Sequence, residues 1–223
     1  MDIIKKLAQE LAIKEEQAKA AVQLIDEGNT IPFIARYRKE MTGALNDETL
    51  RNLHERLLYL RNLEEKKEQV INAITDQGKM TEDLKKKILS AETLVAVDDL
   101  YRPYRPKKQT RATKAKEKGL EPLANILLLQ KTTKSMEEEA AAFVNAEKGV
   151  ANAKEAIAGA KDIIAEMIAD MADYRKSIRN CTMKQGSLVV KAKDEKAASV
   201  YEMYYQYEEP VAKMVLRFQR ATF

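Results

Sequence analysis

Positive charge is concentrated in one short part of the chain, between Tyr101 and Lys118. This stretch, YRPYRPKKQTRATKAKEK, holds eight Arg and Lys residues and a single acid, Glu117. The whole chain of 223 residues carries a net charge of only +4. We call residues 101–118 the basic segment. Its charge suits either contact with a polyanion or ion pairing inside the protein.

Several features of the basic segment favour contact with nucleic acid. Arginine offers forked donors that match phosphate oxygens, tyrosine can stack on bases, and proline keeps the segment extended. Because no pattern of base-edge readers is visible, the contact would be sequence-tolerant. The candidate residues are Tyr101, Arg102, Tyr104, Arg105, Lys107, Lys108, Arg111 and Lys114. The alternative is internal: Tyr and Pro pack on helices, and the cations pair with some of the 35 acids. The two interpretations are compatible.

A second group of cations lies in the stretch IPFIARYRKEM. Gly28-Asn29 is typical of a helix end, and Thr30 is typical of the N-cap of a following helix. Two helices joined by such a turn outline a helix-turn-helix, whose second helix enters the major groove in DNA-binding proteins. The candidates here are Arg36, Arg38 and Lys39. Ordinary packing of two helices is the alternative.

The composition argues against catalysis. The chain has one histidine, His54, and one cysteine, Cys181. A zinc site needs several such ligands, and a nucleophilic triad would have to use this one histidine. Neither GxGxxG nor GxxxxGK[ST] occurs. We therefore expect no enzyme activity, no metal and no cofactor.

Hydrophobic periodicity predicts helices along most of the chain. The predicted helices cover 2–11, 14–27, 30–41, 46–77, 81–91, 93–100, 110–118, 122–129, 135–144, 152–183 and 195–206. The stretch SLVVKAK is the one credible strand, and the alternative is an extended tail segment. The predicted fold class is all-α: an elongated multi-helix array with a helix-turn-helix element, at most one short strand, and a long helix that serves as a spine for shorter ones.

Three segments are predicted, although they could form one continuous module. Residues 1–78 would hold the helix-turn-helix and the long spine helix. Residues 79–130 would be helical and carry the basic segment, and residues 131–223 would form an alanine-rich helical part with a C-terminal tail. A lone cysteine fits a reducing compartment, and no apolar run reaches the roughly 20 residues that span a bilayer. A cytoplasmic protein without membrane contact is expected.

Three blocks of the sequence carry a family resemblance. They are NTIPFIARYRKEMTGAL, DDLYRPYRPKKQTRATKAKEKGLEPLA and GAKDIIAEMIAD. These blocks resemble the N-terminal region of the bacterial Tex proteins, called transcription accessory proteins, and the similarity runs from about residue 1 to 214. In that family a helical, helix-turn-helix-containing region precedes an RNase-H-like domain, helix-hairpin-helix modules and an OB-type RNA-binding domain.

The resemblance implies binding of nucleic acid, RNA or DNA, and a role in transcription or RNA metabolism, with no catalytic residue to carry over. By position, the basic motif of the family falls on Arg102, Arg105, Lys107, Lys108 and Arg111, and the IARYRKE block supplies Arg36, Arg38 and Lys39. The family continues into the RNase-H-like domain soon after Met214, whereas this chain reads VLRFQRATF. A truncated product is therefore expected.

The sequence thus predicts a non-catalytic N-terminal module of a Tex-like protein that contacts nucleic acid weakly. Its other partners would be the missing downstream domains and components of the transcription machinery. The alternative is a structural scaffold that binds proteins and makes no direct contact with nucleic acid.

Overall fold

The computed structural model describes residues 2–196 and 198–214 and forms two compact units. The first unit comprises residues 1–101, and the second comprises residues 102–223. The stretch VLRFQRATF, where a departure from the Tex pattern was predicted, lies outside the described residues. The division into three segments, 1–78, 79–130 and 131–223, stays a prediction.

The first unit is entirely helical within its described residues. Its helices are α1 (Ile3–Glu10), α2 (Glu15–Asp26), α3 (Ile31–Tyr37), α4 (Asp47–Asp76), α5 (Glu82–Ser90) and α6 (Leu94–Tyr101). The side chains of Asp2, Asn46 and Thr81 accept backbone N–H groups in the first turns of α1, α4 and α5. These bonds satisfy donors that a helix start leaves without partners, so the helices begin where the sequence predicted.

The long helix α4 is the spine of this unit, as predicted. Its 30 residues correspond to about 45 Å at 1.5 Å per residue. Buried residues recur along it every three or four positions: Leu50, Leu53, Leu57, Leu60, Leu63, Lys67, Val70 and Ile74. Helices α1, α2, α3, α5 and α6 all pack against it.

Lys67 belongs to this buried row although it is charged. Only 2% of its surface is exposed. Its ammonium donates to Glu64 Oε1 at 2.8 Å and to the carbonyl of Leu89 at 2.9 Å. Leu89 lies in the last turn of α5, where carbonyls lack partners within the helix. The buried amine therefore ties the end of α5 to the spine.

Helix α3 is shorter than the sequence predicted. It ends at Tyr37 rather than Met41, and Ile34 is its only fully buried residue. Gly43 and Ala44 have positive φ angles, 58° and 60°, which turn the chain into the start of α4. Nine residues therefore separate α3 from α4. The turn between α2 and α3 lies where predicted, and its role as a DNA-binding helix-turn-helix stays a prediction.

The second unit is built around one helix. Its elements are α7 (Arg111–Glu117), α8 (Glu121–Leu129), α9 (Met136–Ala141), α10 (Ala153–Asp170), α11 (Ala172–Gln185), β1 (Ser187–Lys191) and β2 (Gln206–Pro210). Helices α7, α8 and α9 pack on α10. A Cβ atom at Gly159 of α10 would lie 2.5 Å from Leu120 Cδ1. Small residues thus allow the close helix packing that the alanine-rich sequence indicated.

Two helices predicted in this unit differ from the structure. The helix predicted over 152–183 is broken at Met171, whose backbone is extended (φ −71°, ψ 117°). The helix predicted over 195–206 is wrong. That region holds a short 3-10 turn, Glu202–Tyr204, and the beginning of β2.

Strand β1 coincides with the predicted strand SLVVKAK. It pairs antiparallel with β2, from Ser187 opposite Pro210 to Lys191 opposite Gln206. The described residues therefore hold two strands where at most one was predicted. Pairing with β2 satisfies backbone donors and acceptors of β1 that a lone strand would leave to water. No helix within 2–196 or 198–214 has the length and apolar character needed to cross a membrane.

Candidate nucleic-acid interface

The basic segment leaves α6 as a short 3-10 turn, Arg102–Tyr104, and then runs without regular structure to Thr110. Pro103 and Pro106 prevent a continuous helix here, as predicted. Thr110 caps α7, since its hydroxyl oxygen accepts the N–H of Thr113 at 3.0 Å. The segment therefore combines an extended stretch with a short basic helix.

Three acids of α10 face this segment. Asp162, Glu166 and Asp170 are spaced four residues apart and so share one side of the helix; we call them the α10 carboxylates. Asp170 accepts Nε of Arg102 at 2.8 Å on one oxygen and Nζ of Lys107 on the other. Only 7% of Asp170 is exposed. It is therefore a buried anion that two cations of the basic segment neutralise.

The other two α10 carboxylates extend this contact. Glu166 lies 3.4 Å from the Lys107 ammonium and accepts the Thr110 hydroxyl at 3.1 Å. Asp162 lies 3.8 Å from Arg111 Nε, but the Arg111 side chain is 88% exposed. Internal pairing thus binds Arg102 and Lys107 firmly and Arg111 loosely.

The remaining predicted residues of the basic segment divide by exposure. Arg105, Lys108 and Lys114 are exposed, whereas Tyr101 and Tyr104 are half-buried. Across the described part of the chain, no side-chain hydrogen bond or ion pair engages Lys108 or Lys114. These two amines are open to a polyanion, and the tyrosines offer less ring surface than the sequence suggested.

One cation near this surface was missed from the sequence. Lys118 donates to the carbonyl of Gly149 at 2.7 Å, and the Lys148 ammonium lies 3.6 Å from the position of a Cβ on Gly119. Lys118 thus contacts Gly149, the neighbour of Lys148, and Lys148 lies over Gly119, the neighbour of Lys118. Lys148 is 30 residues further along the chain, so no sequence spacing could have placed it beside the basic segment.

The three candidate cations of the first unit lie at the end of α3. Arg36 is on the helix, Arg38 is its C-cap, and Lys39 is in the following turn. Arg36 and Lys39 are exposed, and the Arg38 guanidinium lies 5.3 Å from the centre of the Phe33 ring. Helical spacing places Phe33 and Tyr37 on the apolar side of this helix with Ile34, which predicts their burial, but they are 36% and 56% exposed.

Two family models match the chain. The Tex-like protein N-terminal domain matches residues 1–75, and the Tex central region matches residues 131–223. The chain belongs to the Tex family. The basic segment lies between the two matched ranges.

Known relatives agree with this assignment. The chain is 44% identical to YdcI of Bacillus subtilis (strain 168) over 212 residues, and 45% identical to YhgF of Escherichia coli (strain K12) over 209. It is 41% identical to the transcriptional accessory protein Tex of Neisseria gonorrhoeae over 217 residues. These matches cover 94%, 92% and 96% of this chain, but 30%, 27% and 28% of the relatives. The chain therefore spans less than a third of the length of these Tex proteins.

Proposed function

We propose that this Tex-family chain is a non-catalytic helical module that contacts nucleic acid without sequence preference. The observation that carries the proposal is the position of Lys108 and Lys114. Both amines are exposed and lack partners among the described side chains, on a segment whose neighbouring cations are held by α10. Ammonium groups placed in this way attract phosphates and release their counterions, a term independent of base sequence.

The ion pairs with α10 support this role rather than oppose it. Arg102 and Lys107 are engaged by Asp170 on either side of Pro103 and Pro106. An anchored segment loses less conformational entropy when a ligand binds than a free one does. The same contacts that neutralise two cations thus hold the exposed cations in place.

The relatives support the biological setting of the proposal. The Neisseria gonorrhoeae relative is named a transcriptional accessory protein, and we extend that role to this chain. Because the chain covers less than a third of its relatives, the domains that follow in those proteins are proposed as its partners, together with transcription components. The lone cysteine supports a reducing, cytoplasmic location.

A structural scaffold that binds only proteins is the second candidate. Apolar exposure on α11 favours it, because no residue of that helix is buried. Tyr174 and Ile178 are 49% and 66% exposed, and solvent-facing apolar groups of this size are typical of protein contacts when they lie together. This candidate requires no affinity for oligonucleotides.

Fluorescence anisotropy with labelled single- and double-stranded RNA and DNA, at several salt concentrations, separates the two candidates. The informative variant is Lys108→Glu with Lys114→Glu, since neither residue anchors the segment to α10. The matched control is Lys131→Glu with Lys134→Glu, two exposed lysines of the same unit. Far-UV circular dichroism confirms that both variants remain helical.

The nucleic-acid proposal predicts weaker binding and a changed salt dependence for Lys108→Glu with Lys114→Glu. Each phosphate contact with a single strand contributes about 0.7 to the slope of log affinity against log salt, so loss of two makes it shallower by about 1.4. The control keeps its slope. No binding by the unmodified chain supports the scaffold, and equal loss in both variants contradicts a localised interface.

A further inference from the structure

The solvent-facing side of α3 carries two aromatic rings that the fold does not use. Ile34 is the one fully buried residue of this helix, and Ile31 and Ala35 pack beside it against the core. Phe33 and Tyr37 lie one turn apart, with ring centres 5.3 Å apart and planes inclined by 46°. Tyr37 is 56% exposed. Exposed rings of this size indicate a binding role, because burying them in the core would have stabilised the fold.

Cations surround these rings. The Arg38 guanidinium lies over the Phe33 ring at 5.3 Å, and Arg36 and Lys39 are exposed on the same short stretch. Glu40 is the one acid between Arg36 and Thr42. Protein interfaces also use exposed aromatics, but three cations within four residues favour a polyanionic ligand that also has flat apolar faces.

The turn that follows α3 holds this surface in place. The Thr42 hydroxyl is fully buried and donates back to the carbonyls of Arg38 and Lys39. Gln17 of α2 donates its amide to the carbonyls of Thr42 and Gly43 at 3.3 and 3.0 Å. A Cβ at Gly43 would lie 2.8 Å from the Gln17 amide nitrogen, so a larger residue would displace the Gln17 side chain from this position.

We infer that Phe33 and Tyr37 form a stacking surface for the unpaired bases of single-stranded nucleic acid. Bases stack on aromatic rings and on guanidinium planes, which Arg38 adds here, and Arg36 and Lys39 can contact the flanking phosphates. Bases inside a duplex are already stacked on both sides and cannot use such a surface. The inference rests on the proposed function and specifies its ligand class, which is single-stranded rather than double-stranded.

This inference assigns base stacking to α3 and not to the tyrosines of the basic segment. Tyr101 and Tyr104 are half-buried, whereas Phe33 and Tyr37 are exposed and stand beside cations. The two surfaces then differ in kind. The α3 surface selects single strands, because unpaired bases can stack on its rings. The basic segment attracts phosphates.

The test replaces both rings with leucine, Phe33→Leu with Tyr37→Leu, in the full 223-residue chain. Leucine keeps an apolar side chain on α3 and removes only the flat ring. The matched control is Tyr174→Leu with Tyr201→Leu, two exposed tyrosines in the other unit. Anisotropy with single-stranded and duplex oligonucleotides over a salt series gives affinities. A single strand that contains 2-aminopurine reports stacking directly, because its fluorescence falls when it stacks.

Loss of the rings is expected to weaken single-strand binding about tenfold or more. The salt slope stays unchanged because no charge is removed, and duplex binding is unaffected. The 2-aminopurine quenching seen with the unmodified chain disappears, while the Tyr174→Leu, Tyr201→Leu control behaves like the unmodified chain.

Two other outcomes are distinguishable. If the unmodified chain binds oligonucleotides and the leucine variant keeps both affinity and quenching, the inference is overturned while the proposed function stands. The α3 rings would then be a protein-docking surface. If the unmodified chain binds no oligonucleotide, the proposed function fails, and this inference fails with it.

Discussion

Asp170 is the residue on which the basic segment depends. It is the last residue of α10, where the helix dipole disfavours a negative charge, and only 7% of its surface is exposed. Both features destabilise a carboxylate unless cations compensate, and Arg102 and Lys107 supply that compensation. Asp170 also closes the block GAKDIIAEMIAD that carries the Tex resemblance. We conclude that this acid positions the segment.

Replacing Asp170 with Asn is expected to lower the free energy of unfolding by about 1–3 kcal/mol, because two cations lose their anionic acceptor. Trypsin should also cut faster after Lys107 and Lys108. Urea unfolding and timed proteolysis measure the two effects. The control is Asp162→Asn, whose 3.8 Å contact reaches a largely exposed Arg111; its effect should stay within about 0.5 kcal/mol. Equal effects in both variants would show that Asp170 has no special role.

Local chemistry predicted most helix starts, and distant contacts decided the exceptions. Asp2, Asn46, Thr81, Thr110, Ser135 and Asn152 each accept a backbone N–H at a helix start. The end of α3 and the break at Met171 have no such signal in the sequence. Both follow from where the chain must go next, which local spacing does not encode.

The same distinction applies to the candidate site. The cations of the basic segment stand out in the sequence, but their pairing does not, since Asp170 lies 68 residues from Arg102. For Phe33 and Tyr37 the error was one of burial: helical spacing placed both residues on the apolar side of α3, but in the fold only Ile34 of that side is fully buried. Sequence therefore identified which residues are charged or aromatic, and the fold determined which of them are exposed.

Helix α1 is attached to the spine by an ion pair that titrates. Arg56 of α4 donates through Nε and Nη2 to Glu10 of α1, at 2.5 and 2.8 Å. These hydrogen bonds hold the pKa of Glu10 below its ordinary value of 4.5. The folded chain thus binds this proton more weakly than the unfolded chain. The stabilisation is present above that ordinary value and is lost as pH falls through the lowered pKa.

Replacing Glu10 with Gln should therefore destabilise the chain in a pH-dependent way. At pH 7 we expect a loss of about 1 kcal/mol or less, as is usual for a partly exposed pair. The difference from the unmodified chain should shrink as pH falls below 4.5 through the lowered pKa of Glu10, because protonation of Glu10 in the folded state removes the ion pair. Urea midpoints at several pH values measure it. Glu68→Gln, an exposed acid of α4, should show no such trend, and a constant Glu10→Gln difference would contradict the argument.

At the scale of the whole chain, each compact unit has a core of its own. The first is built from α1–α4, around Leu24, Ile34, Leu53 and Leu57, and the second from α7, α8 and α10, around Leu123 and Ile163. The first unit ends at Tyr101, whereas the Tex N-terminal family model ends at residue 75. The difference is α5 and α6, which pack on the spine.

A fragment of residues 1–101 should accordingly fold by itself, and one of residues 1–76 should be less stable. Without α5 and α6, the apolar side chains that α4 buries against these helices become exposed, at about 1.5–3 kcal/mol for each side chain as an upper bound, and Lys67 loses the Leu89 carbonyl. Far-UV circular dichroism and urea unfolding of both fragments measure this. We expect a cooperative transition for 1–101 and a lower midpoint for 1–76. Equal midpoints would place the boundary near residue 78, as the sequence predicted, and would make α5 and α6 additions to a domain that is complete without them.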